Sequence, residues 1–464
     1  MFHVTGTDAG ISDGVPPANF SDVLIATATP WGRSALAVVR LSGKGIDALL
    51  RSFVRPFREG SIPFGRPRRV YLFDDDGVFD DAVMVLGASP STFTGEDTAE
   101  ITCHGNPLII ERLMRAGSLA GARVAESGEF TRRALANGRI DLLAAEAVLQ
   151  VAEATTARGL VIARDGLDGR LTQFFDEVRT NLVACAADFE ARLDYPSDDL
   201  AFFEEEHLLG MLGGVTDSCR SLAASYRVGH VLVHGARVAL VGGVNAGKSS
   251  LFNALLGRDR ALVHETPGTT RDVLEIPTTI DGLHVTLLDT AGERETVDPV
   301  EAAGLALARD LVGEADLLVV VLRGRPSGID ATERQILERT SGVPRVLVYN
   351  GVDLPDVAAP PEGALSTVAR IGGGAAEVAM AVRAALIGGE ARSDQLRIAS
   401  ARQRDRLKAI ADAVKEASDT FNLLGAAVAV EALYRAIAEV DATTGADARS
   451  DVLDALFARF CIGK

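Results

Sequence analysis

The residues with the clearest chemistry form a phosphate-binding loop near the middle of the chain. The run Gly242-Gly243-Val244-Asn245-Ala246-Gly247-Lys248-Ser249 has the spacing G-x-x-x-x-G-K-S, a motif that needs a strand before it and a helix after it. The apolar stretch 237–241 and the helix-like stretch from Ser250 meet that need. Glycines let backbone N–H groups turn toward phosphate oxygens, and a helix N-terminus favours negative charge. We therefore expect a nucleoside triphosphate here, with Lys248 on the β- and γ-phosphates and the Ser249 hydroxyl on Mg²⁺.

Two segments downstream have the order and spacing of G-protein switch regions. The first contains Gly268, Thr269 and Thr270, and the Thr270 hydroxyl is expected to be a second Mg²⁺ ligand. The second is Asp289-Thr290-Ala291-Gly292, directly after the strand-like stretch 284–288. An aspartate at such a strand end holds Mg²⁺ through water, and the glycine N–H contacts the γ-phosphate. With the phosphate-binding loop, these segments indicate a GTPase switch mechanism.

The base-binding motif of such proteins is Asn-Lys-x-Asp at a strand end, and here the stretch 345–349 ends in Asn350-Gly351-Val352-Asp353. The Asp353 carboxylate can accept hydrogen bonds from guanine N1–H and N2–H₂, a donor pair that adenine lacks. Gly351 replaces the lysine whose stem would lie over the base. We predict weaker nucleotide affinity with guanine still preferred, because discrimination depends on paired polar groups. The next base loop usually carries Ser-Ala and here reads Val368-Ala369-Arg370, so one polar contact is also missing.

Bulk composition bounds the class of protein. The 464 residues predict about three domains at roughly 150 residues each. A formal net charge of −17 makes the chain as a whole a poor partner for nucleic acid, and the dense basic stretch 51–69 is interpreted as a solvated loop. The four cysteines, at 103, 185, 219 and 461, include no C-x-x-C pair, which favours a reducing, cytoplasmic setting without zinc or disulfides. No membrane span or signal peptide is predicted.

The apolar pattern divides the chain into four segments. The first, from about Asp22 to Ala136, reads as α+β, with one amphipathic helix at 107–120. Helical composition runs from about 140 to 226, pauses at a loop over 195–199, and returns from 395 to 464. Between them, alternating strands and helices indicate a doubly wound α/β domain. The predicted strands are 23–28, 36–41, 70–73, 82–86, 100–103, 237–241, 284–288, 317–322 and 345–349.

Four separated motifs carry a family resemblance. They are Asn245-Ala246-Gly247-Lys248-Ser249-Ser250; Gly268-Thr269-Thr270-Arg271-Asp272; Thr94-Gly95-Glu96-Asp97-Thr98-Ala99-Glu100 with Cys103-His104-Gly105; and the C-terminal Cys461-Ile462-Gly463-Lys464. The last is the most specific. With these motifs in order from Asp22 to Lys464, the chain resembles the MnmE (TrmE) family of tRNA modification GTPases.

The resemblance implies a multidomain α+β and α/β fold. Its parts would be an N-terminal α+β tetrahydrofolate-binding and dimerisation domain (1–137), a helical-bundle domain in two parts (138–232 and 391–464), and an inserted doubly wound P-loop GTPase domain (233–390). It also implies a homodimer that joins the flavoprotein MnmG (GidA), which carries FAD, in a heterotetramer. Together they would add a carboxymethylaminomethyl group at C5 of the wobble uridine (U34) of certain tRNAs. The carbon would come from 5,10-methylene-tetrahydrofolate, with 5-formyl-tetrahydrofolate as the other folate form considered.

The resemblance also assigns residues of the G domain. Asn245 matches a K⁺ ligand, and the backbone of His264 and Thr266, with Thr269 nearby, would complete the K⁺ site, where the ion supplies the charge of an arginine finger. Glu301, twelve residues after Asp289, matches the catalytic glutamate that would orient the attacking water through a bridging water. The predicted GTP contacts are Asn245, Ala246, Gly247, Lys248, Ser249, Ser250, His264, Thr266, Gly268, Thr269, Thr270, Asp289, Thr290, Ala291, Gly292, Asn350 and Asp353.

For folate, the resemblance assigns two cationic positions, Arg40 and Arg139, a polar one, Glu100, and Lys464 nearby. A pterin has a donor edge like that of guanine, and folate has a glutamyl tail, so a carboxylate and cations suit it. Arg139 stands where the family more often has lysine, which keeps the charge and changes the donor geometry. A terminal Cys-x-Gly-Lys has no packing reason of its own. We therefore predict a catalytic role near the uracil for Cys461.

Two alternatives stay open from the sequence. A ribosome-assembly or other regulatory GTPase would have basic RNA-binding modules beside its G domain, and the acidic helical flanks and Cys461 argue against it. A degenerate nucleotide-binding scaffold would explain Gly351, but it would also have lost Lys248, Thr270 or Asp289, and all three are present.

Overall fold

The computed structural model describes residues 20–56, 63–194, 203–257, 274–289, 315–388, 395–445 and 450–463. The chain forms two compact units, each built from separated stretches. The first unit comprises Met1–Leu149, Gly166–Thr216 and Ala409–Lys464, and the second comprises Gln150–Asp165 and Asp217–Lys408. Both units therefore depend on residues that are far apart in sequence.

A seven-stranded sheet begins the first unit. Its strands are β1 (Leu24–Thr27), β2 (Leu36–Ser42), β3 (Val54–Pro56), β4 (Arg68–Asp74), β5 (Gly77–Gly87), β6 (Thr98–His104) and β7 (Arg123–Val124). They lie in the order β3-β4-β5-β6-β2-β1-β7, and all neighbours are antiparallel except β1 and β7. One-sided burial follows from the alternation of side chains along each strand.

The helices follow in chain order. They are α1 (Ile46–Leu50), α2 (Pro107–Leu119), α3 (Glu129–Ala136), α4 (Leu142–Glu153), α5 (Ala157–Leu167), α6 (Arg170–Asp194), α7 (Glu205–Ala224), α8 (Tyr226–His234), α9 (Lys248–Leu256), α10 (Ala331–Arg339), α11 (Ala375–Ile387), α12 (Ala401–Leu424), α13 (Ala426–Thr444) and α14 (Ser450–Phe457), with a 3₁₀ turn at Ala369–Ile371. The long ones account for the helical composition on both sides of the α/β segment.

The sheet of the first unit keeps its polar side chains on one face. On β2, Val39 and Leu41 are fully buried in the core, whereas Arg40 between them points to the other face and is partly exposed. Helix α2 covers the apolar face with Ile110 and Leu113. The N-terminus of α2 is capped by the Asn106 side chain, which accepts a hydrogen bond from the Leu108 N–H.

The helical part of the first unit joins early and late segments of the chain. Helix α6 packs along α13, and Arg179 pairs with Asp441 over 2.7 Å while the Tyr434 hydroxyl donates to Glu190. The rings of Phe189 and Phe421 stack with centroids 4.7 Å apart. The core of this part therefore cannot form from either segment alone.

The second unit contains a six-stranded sheet. Its strands are β8 (Ala236–Gly242), β9 (Leu274–Ile280), β10 (Leu283–Asp289), β11 (Leu317–Arg323), β12 (Arg345–Asn350) and β13 (Leu365–Thr367), in the order β13-β12-β11-β8-β10-β9. All neighbours are parallel except β9 and β10. The residues 317–322 of β11 are all fully buried, as expected where apolar side chains pack on both faces of a parallel sheet.

All nine predicted strands and the helix predicted at 107–120 are confirmed, with ends that differ by a few residues. The interpretation of 51–69 as a solvated loop is wrong where this stretch forms β3 and the start of β4, whereas the described residues 51–53 and 63–67 lie outside the strands. Arg55 lies in β3, with its guanidinium over the rings of Tyr71 and Phe73, and Arg69 in β4 pairs with Asp81. Cross-strand aromatic and acidic partners give these arginines a place on the sheet. The loop predicted at 195–199 lies outside the described residues.

Among the described helices, none combines the length and the apolar character that crossing a membrane requires.

Candidate functional site

The phosphate-binding loop of the second unit connects the end of β8 to the start of α9. The Lys248 ammonium donates hydrogen bonds to the carbonyls of Gly242 (2.9 Å) and Gly243 (3.0 Å), which closes the loop on itself. Asn245 is exposed and has φ 58°, a left-handed conformation that asparagine tolerates better than most residues. Ser249, in the first turn of α9, is also exposed. The backbone is therefore shaped as an anion cradle at a helix N-terminus.

Asn350 joins the phosphate-binding loop to the two base loops. Its side-chain amide donates to the Ala246 carbonyl (2.9 Å), and its Oδ1 accepts from the Ala369 N–H (2.9 Å) and the Thr367 hydroxyl (3.1 Å). The Asn350 nitrogen also explains Gly247, since a Cβ there would lie 2.0 Å from it. In this arrangement Asn350 holds the three loops together through hydrogen bonds within the chain.

The predicted base-recognition residue has a protein partner. Arg370 donates a hydrogen bond to the Asp353 carboxylate over 2.9 Å, and the two side chains are 75% and 29% exposed. Gly351 has φ 88°, in the left-handed region that favours glycine. Val368 offers no side-chain hydrogen bond at its position, and the Ala369 N–H is directed to Asn350.

Many predicted contacts of the G domain lie outside the described residues. These are His264, Thr266, Gly268, Thr269, Thr270, Thr290, Ala291, Gly292 and Glu301, together with Lys464 of the C-terminal motif. For Asp289 the structure describes the backbone, which ends β10. The roles of these residues stay predictions.

The first unit brings together two of the residues assigned to folate. Arg40 and Glu100 face each other across β2 and β6, and the guanidinium contacts the carboxylate at 2.7 and 2.9 Å. Arg40 also lies 5.9 Å from the centre of the Phe130 ring. Arg139 is placed differently: its stem lies against Gly95, and within the described residues it has no hydrogen bond to Glu100.

The C-terminal tail, residues 458–463, is docked in the same unit. Phe457, the last residue of α14, and Phe460 in the tail are buried against Leu149. Beyond them, Ile462 forms an antiparallel bridge with Ser127, and Arg40 donates a hydrogen bond to the Gly463 carbonyl over 3.4 Å. The expectation that the terminal motif has no packing reason is therefore wrong for Ile462 and Gly463, whose backbone is tied to the N-terminal part.

Cys461 is the exposed cysteine of the four. Burial raises the pKa of Cys103 and Cys185 to about 11 and that of Cys219 to about 12. These three thiols are small core side chains, in agreement with the ordinary behaviour of buried cysteine. Of the four, Cys461 is the exposed one, two residues before the Gly463 carbonyl that Arg40 contacts.

Comparison with known proteins gives a match along almost the whole chain. Residues 23–139 match the family described as "GTP-binding protein TrmE N-terminus", and residues 142–461 match "MnmE helical domain". The tRNA modification GTPases MnmE of Roseiflexus castenholzii and Chloroflexus aurantiacus are each 37% identical to the chain, over 471 and 456 residues, with 96% of this chain and 100% of the relative covered. The chain belongs to the MnmE family of tRNA modification GTPases. The solved FeoB G-domain from Methanococcus jannaschii covers 32% of the chain at 20% identity and TM-score 0.25.

Membership of the MnmE family agrees with the expected fold class. An α+β TrmE-type part comes first, and the range that matches the MnmE helical domain encloses the whole six-stranded sheet of the second unit. A helical domain interrupted by an inserted P-loop domain is therefore confirmed. Membership also favours tRNA modification over the alternative of a ribosome-assembly or other regulatory GTPase.

One buried residue near the family's N-terminal motif is missed by sequence reasoning. Arg133 is fully buried, and its guanidinium donates to Glu96 (3.1 Å) and to the side chain of Asp22 (2.8 Å) while lying over the Phe20 ring. Glu96 also accepts from the Ser42 hydroxyl. This network fixes the loop that leads into Glu100 on β6. Arginine is almost never fully buried unless paired, and its partners lie too far away in sequence to be recognised.

Proposed function

We propose that the chain is a K⁺-dependent GTPase that works with a flavoprotein partner to modify C5 of the wobble uridine in certain tRNAs. The added group is carboxymethylaminomethyl, and its first carbon comes from 5,10-methylene-tetrahydrofolate. The observation that carries this proposal is the tail contact. Arg40, paired with Glu100, also donates to the Gly463 carbonyl, so a thiol-bearing tail lies at the candidate folate residues, an arrangement that GTP hydrolysis alone does not need.

In this proposal the first unit holds the modification chemistry. Arg40, Arg139 and Lys464 bind the anionic groups of folate, Glu100 accepts from the pterin, and Cys461 acts at the uracil. The domains are those expected from the sequence: 1–137 for folate and dimerisation, 138–232 and 391–464 for the helical domain, and 233–390 for the G domain. The Arg40–Glu100 pair supports the folate site because it supplies a planar donor and an acceptor side by side.

The second unit provides the GTPase. Ser249 and Thr270 bind Mg²⁺ through their hydroxyls, and Asp289 does so through water. Asn245, with the backbone of His264 and Thr266 and with Thr269, holds K⁺, while Glu301 orients the attacking water. Oxygen donors are the ligands that such hard cations prefer, and the exposed Asn245 amide and Ser249 hydroxyl supply them at the start of α9. Bound cations would stabilise the charge that develops on the phosphates.

The partners in this proposal are a second copy of the chain, the MnmG flavoprotein with its FAD, and tRNA. Because the chain has a formal net charge of −17, tRNA is held by a local surface or by the flavoprotein rather than by the chain as a whole. We place the reaction in the cytoplasm, where tRNA is used. The flavoprotein would supply the electron transfer.

The GTPase proposal is tested by the cation dependence of hydrolysis. Turnover in K⁺ should exceed turnover in Na⁺ at equal ionic strength, and Asn245→Gly should remove that advantage while GDP affinity is kept. Glycine is the suitable replacement because it accepts φ 58° without strain, whereas alanine does not. Equal turnover of the unmodified protein in the two salts would refute the role of K⁺.

The modification proposal is tested separately in cells that lack the chain. Mass spectrometry of their tRNA nucleosides should show unmodified wobble uridine, and the restored gene should return the modification. Cys461→Ser and Arg40→Gln should each fail to restore it, although the purified variants hydrolyse GTP at a normal rate. Arg40→Gln should also lose binding of 5-formyl-tetrahydrofolate. Full modification by both variants would refute the proposed roles of Cys461 and Arg40 in the modification.

A further inference from the structure

The docked tail depends on a glycine that has no room for a side chain. A Cβ at Gly463 would lie 2.2 Å from the Thr27 carbonyl oxygen and 3.0 Å from the Thr27 carbonyl carbon. Both atoms belong to the backbone of β1 and its end, which the sheet holds in place. Gly463 also has φ 94°, in the left-handed region. Any other residue at 463 would therefore meet a clash and an unfavourable backbone conformation together.

The chain also packs tightly on the other side of Cys461. Gly128, at the start of α3, has φ 68°, and a Cβ there would lie 3.0 Å from atoms of both Phe457 and Phe460. These rings are 3% and 4% exposed. The tail is thus fixed by buried rings before Cys461 and by the Gly463 backbone after it, while the Cys461 side chain between them stays exposed.

We propose that Gly463 is a positioning residue for the modification reaction. By letting the backbone lie against Thr27, it holds the tail in the place where Arg40 donates to the Gly463 carbonyl, and so fixes the position of Cys461 two residues earlier. The inference rests on the proposed role of Cys461. It adds that the thiol acts from a docked position, and that a tail which keeps the cysteine and loses the docking is inactive.

The experiment compares three full-length variants: Gly463→Ala, Ile462→Ala and Cys461→Ser. Ile462→Ala is the matched control, because the Ile462 side chain is 54% exposed and its bridge to Ser127 is made by the backbone. All three variants are assayed for GTP hydrolysis and for wobble-uridine modification in cells lacking the chain, and the two alanine variants are also assayed for tail mobility. For mobility, a thiol-reactive nitroxide is attached to Cys461 and its electron paramagnetic resonance spectrum is recorded. The spectra of the two alanine variants are compared with that of the unmodified protein.

The expected result is a split between the two alanine variants. Gly463→Ala should lower modification at least tenfold and give a mobile nitroxide spectrum, with GTP hydrolysis within twofold of the unmodified protein. Ile462→Ala should keep modification and the restricted spectrum. Global unfolding is recognised independently, because it would also make the buried Cys103, Cys185 and Cys219 react with the label.

Failure of the inference and failure of the proposed function give different results. If Cys461→Ser still modifies the wobble uridine, the role of the thiol is refuted. If Cys461→Ser is inactive, the role of the thiol stands. The positioning role of Gly463 is then refuted if Gly463→Ala retains modification, or if the two alanine variants share one spectrum or one level of modification.

Discussion

Arg370 and Asp353 form an ion pair at the base loops, with the guanidinium nitrogen 2.9 Å from the carboxylate oxygen. Asp353 is the residue predicted to accept both hydrogen bonds from guanine. One of its oxygens therefore has a cation of the chain as a partner, and guanine must share or displace it. The Arg370 side chain is 75% exposed, so solvent screens the pair and its strength is modest.

Replacing Arg370 measures this competition. Arg370→Ala should tighten GDP binding by up to about fivefold, because an exposed ion pair contributes roughly 0–1 kcal/mol. Arg370→Lys, which keeps the charge, should leave the affinity near that of the unmodified protein. Affinities are measured with a fluorescent GDP analogue. A weaker complex with the alanine variant would instead mean that Arg370 lies over the base, where the missing lysine would have been.

Replacing Gly351 with lysine tests whether a lysine stem over the base would tighten nucleotide binding. The substitution also has a conformational cost in the backbone. A side chain at φ 88° is unfavourable by about 1–2 kcal/mol, so Gly351→Lys combines a gain from the stem with a loss from the backbone. Gly351→Ala carries the loss alone. We expect the lysine variant to bind GTP and GDP several-fold more tightly than the alanine variant. Equal affinities in a nucleotide titration would show that the stem contributes nothing here.

Substitution of Asn350 should have a larger effect than substitution of Arg370 or Gly351. Asn350→Ala removes three hydrogen bonds that join the phosphate-binding loop to the base loops, at roughly 0.5–1.5 kcal/mol each. The free energy of unfolding of the second unit should fall by about 2–4 kcal/mol. The binding free energies of GDP and GTP should weaken by a similar amount. Urea unfolding and nucleotide titration check this. Asn253→Ala, an exposed asparagine on α9, is the control and should change neither quantity.

The four cysteines should differ sharply in reactivity at pH 8. Thiolate is the reacting form, and burial raises the pKa of Cys103 and Cys185 to about 11 and of Cys219 to about 12. These thiols are therefore protonated as well as inaccessible at pH 8. Ellman's reagent should titrate one thiol in the folded protein, none in Cys461→Ser, and four in urea. A second fast thiol in Cys461→Ser would contradict the burial of the other three.

The success of sequence reasoning followed the strength of local signals. The apolar run 317–322 is buried on both faces, so composition alone reveals β11. Strand β9 was not predicted, because it is an edge strand that contains Pro277 and gains its place only by pairing with β10. The ends of β8 and β12 were predicted well, and with them the loops that meet at Asn350.

Long-range contacts set the limit of prediction at the candidate sites. The fully buried Arg133 needs Asp22 and Glu96, and neither spacing nor composition links these three. The docking of Gly463 on Thr27 likewise depends on the sheet geometry of β1. Family resemblance predicts a function for the tail, whereas the close approach of its glycine to the Thr27 backbone is visible only in the folded chain.

The order of synthesis gives the pairing of α6 with α13 a further consequence. The ribosome completes the second unit at residue 408 before α13 (Ala426–Thr444) exists. At about 5–20 residues per second, α6 waits on the order of ten to fifty seconds for its partner. During that interval the ring of Phe189 lacks Phe421, and an exposed apolar helix face is a target for chaperones. Released chains that are truncated after residue 408 should therefore bind nucleotide while α6 is still open to protease.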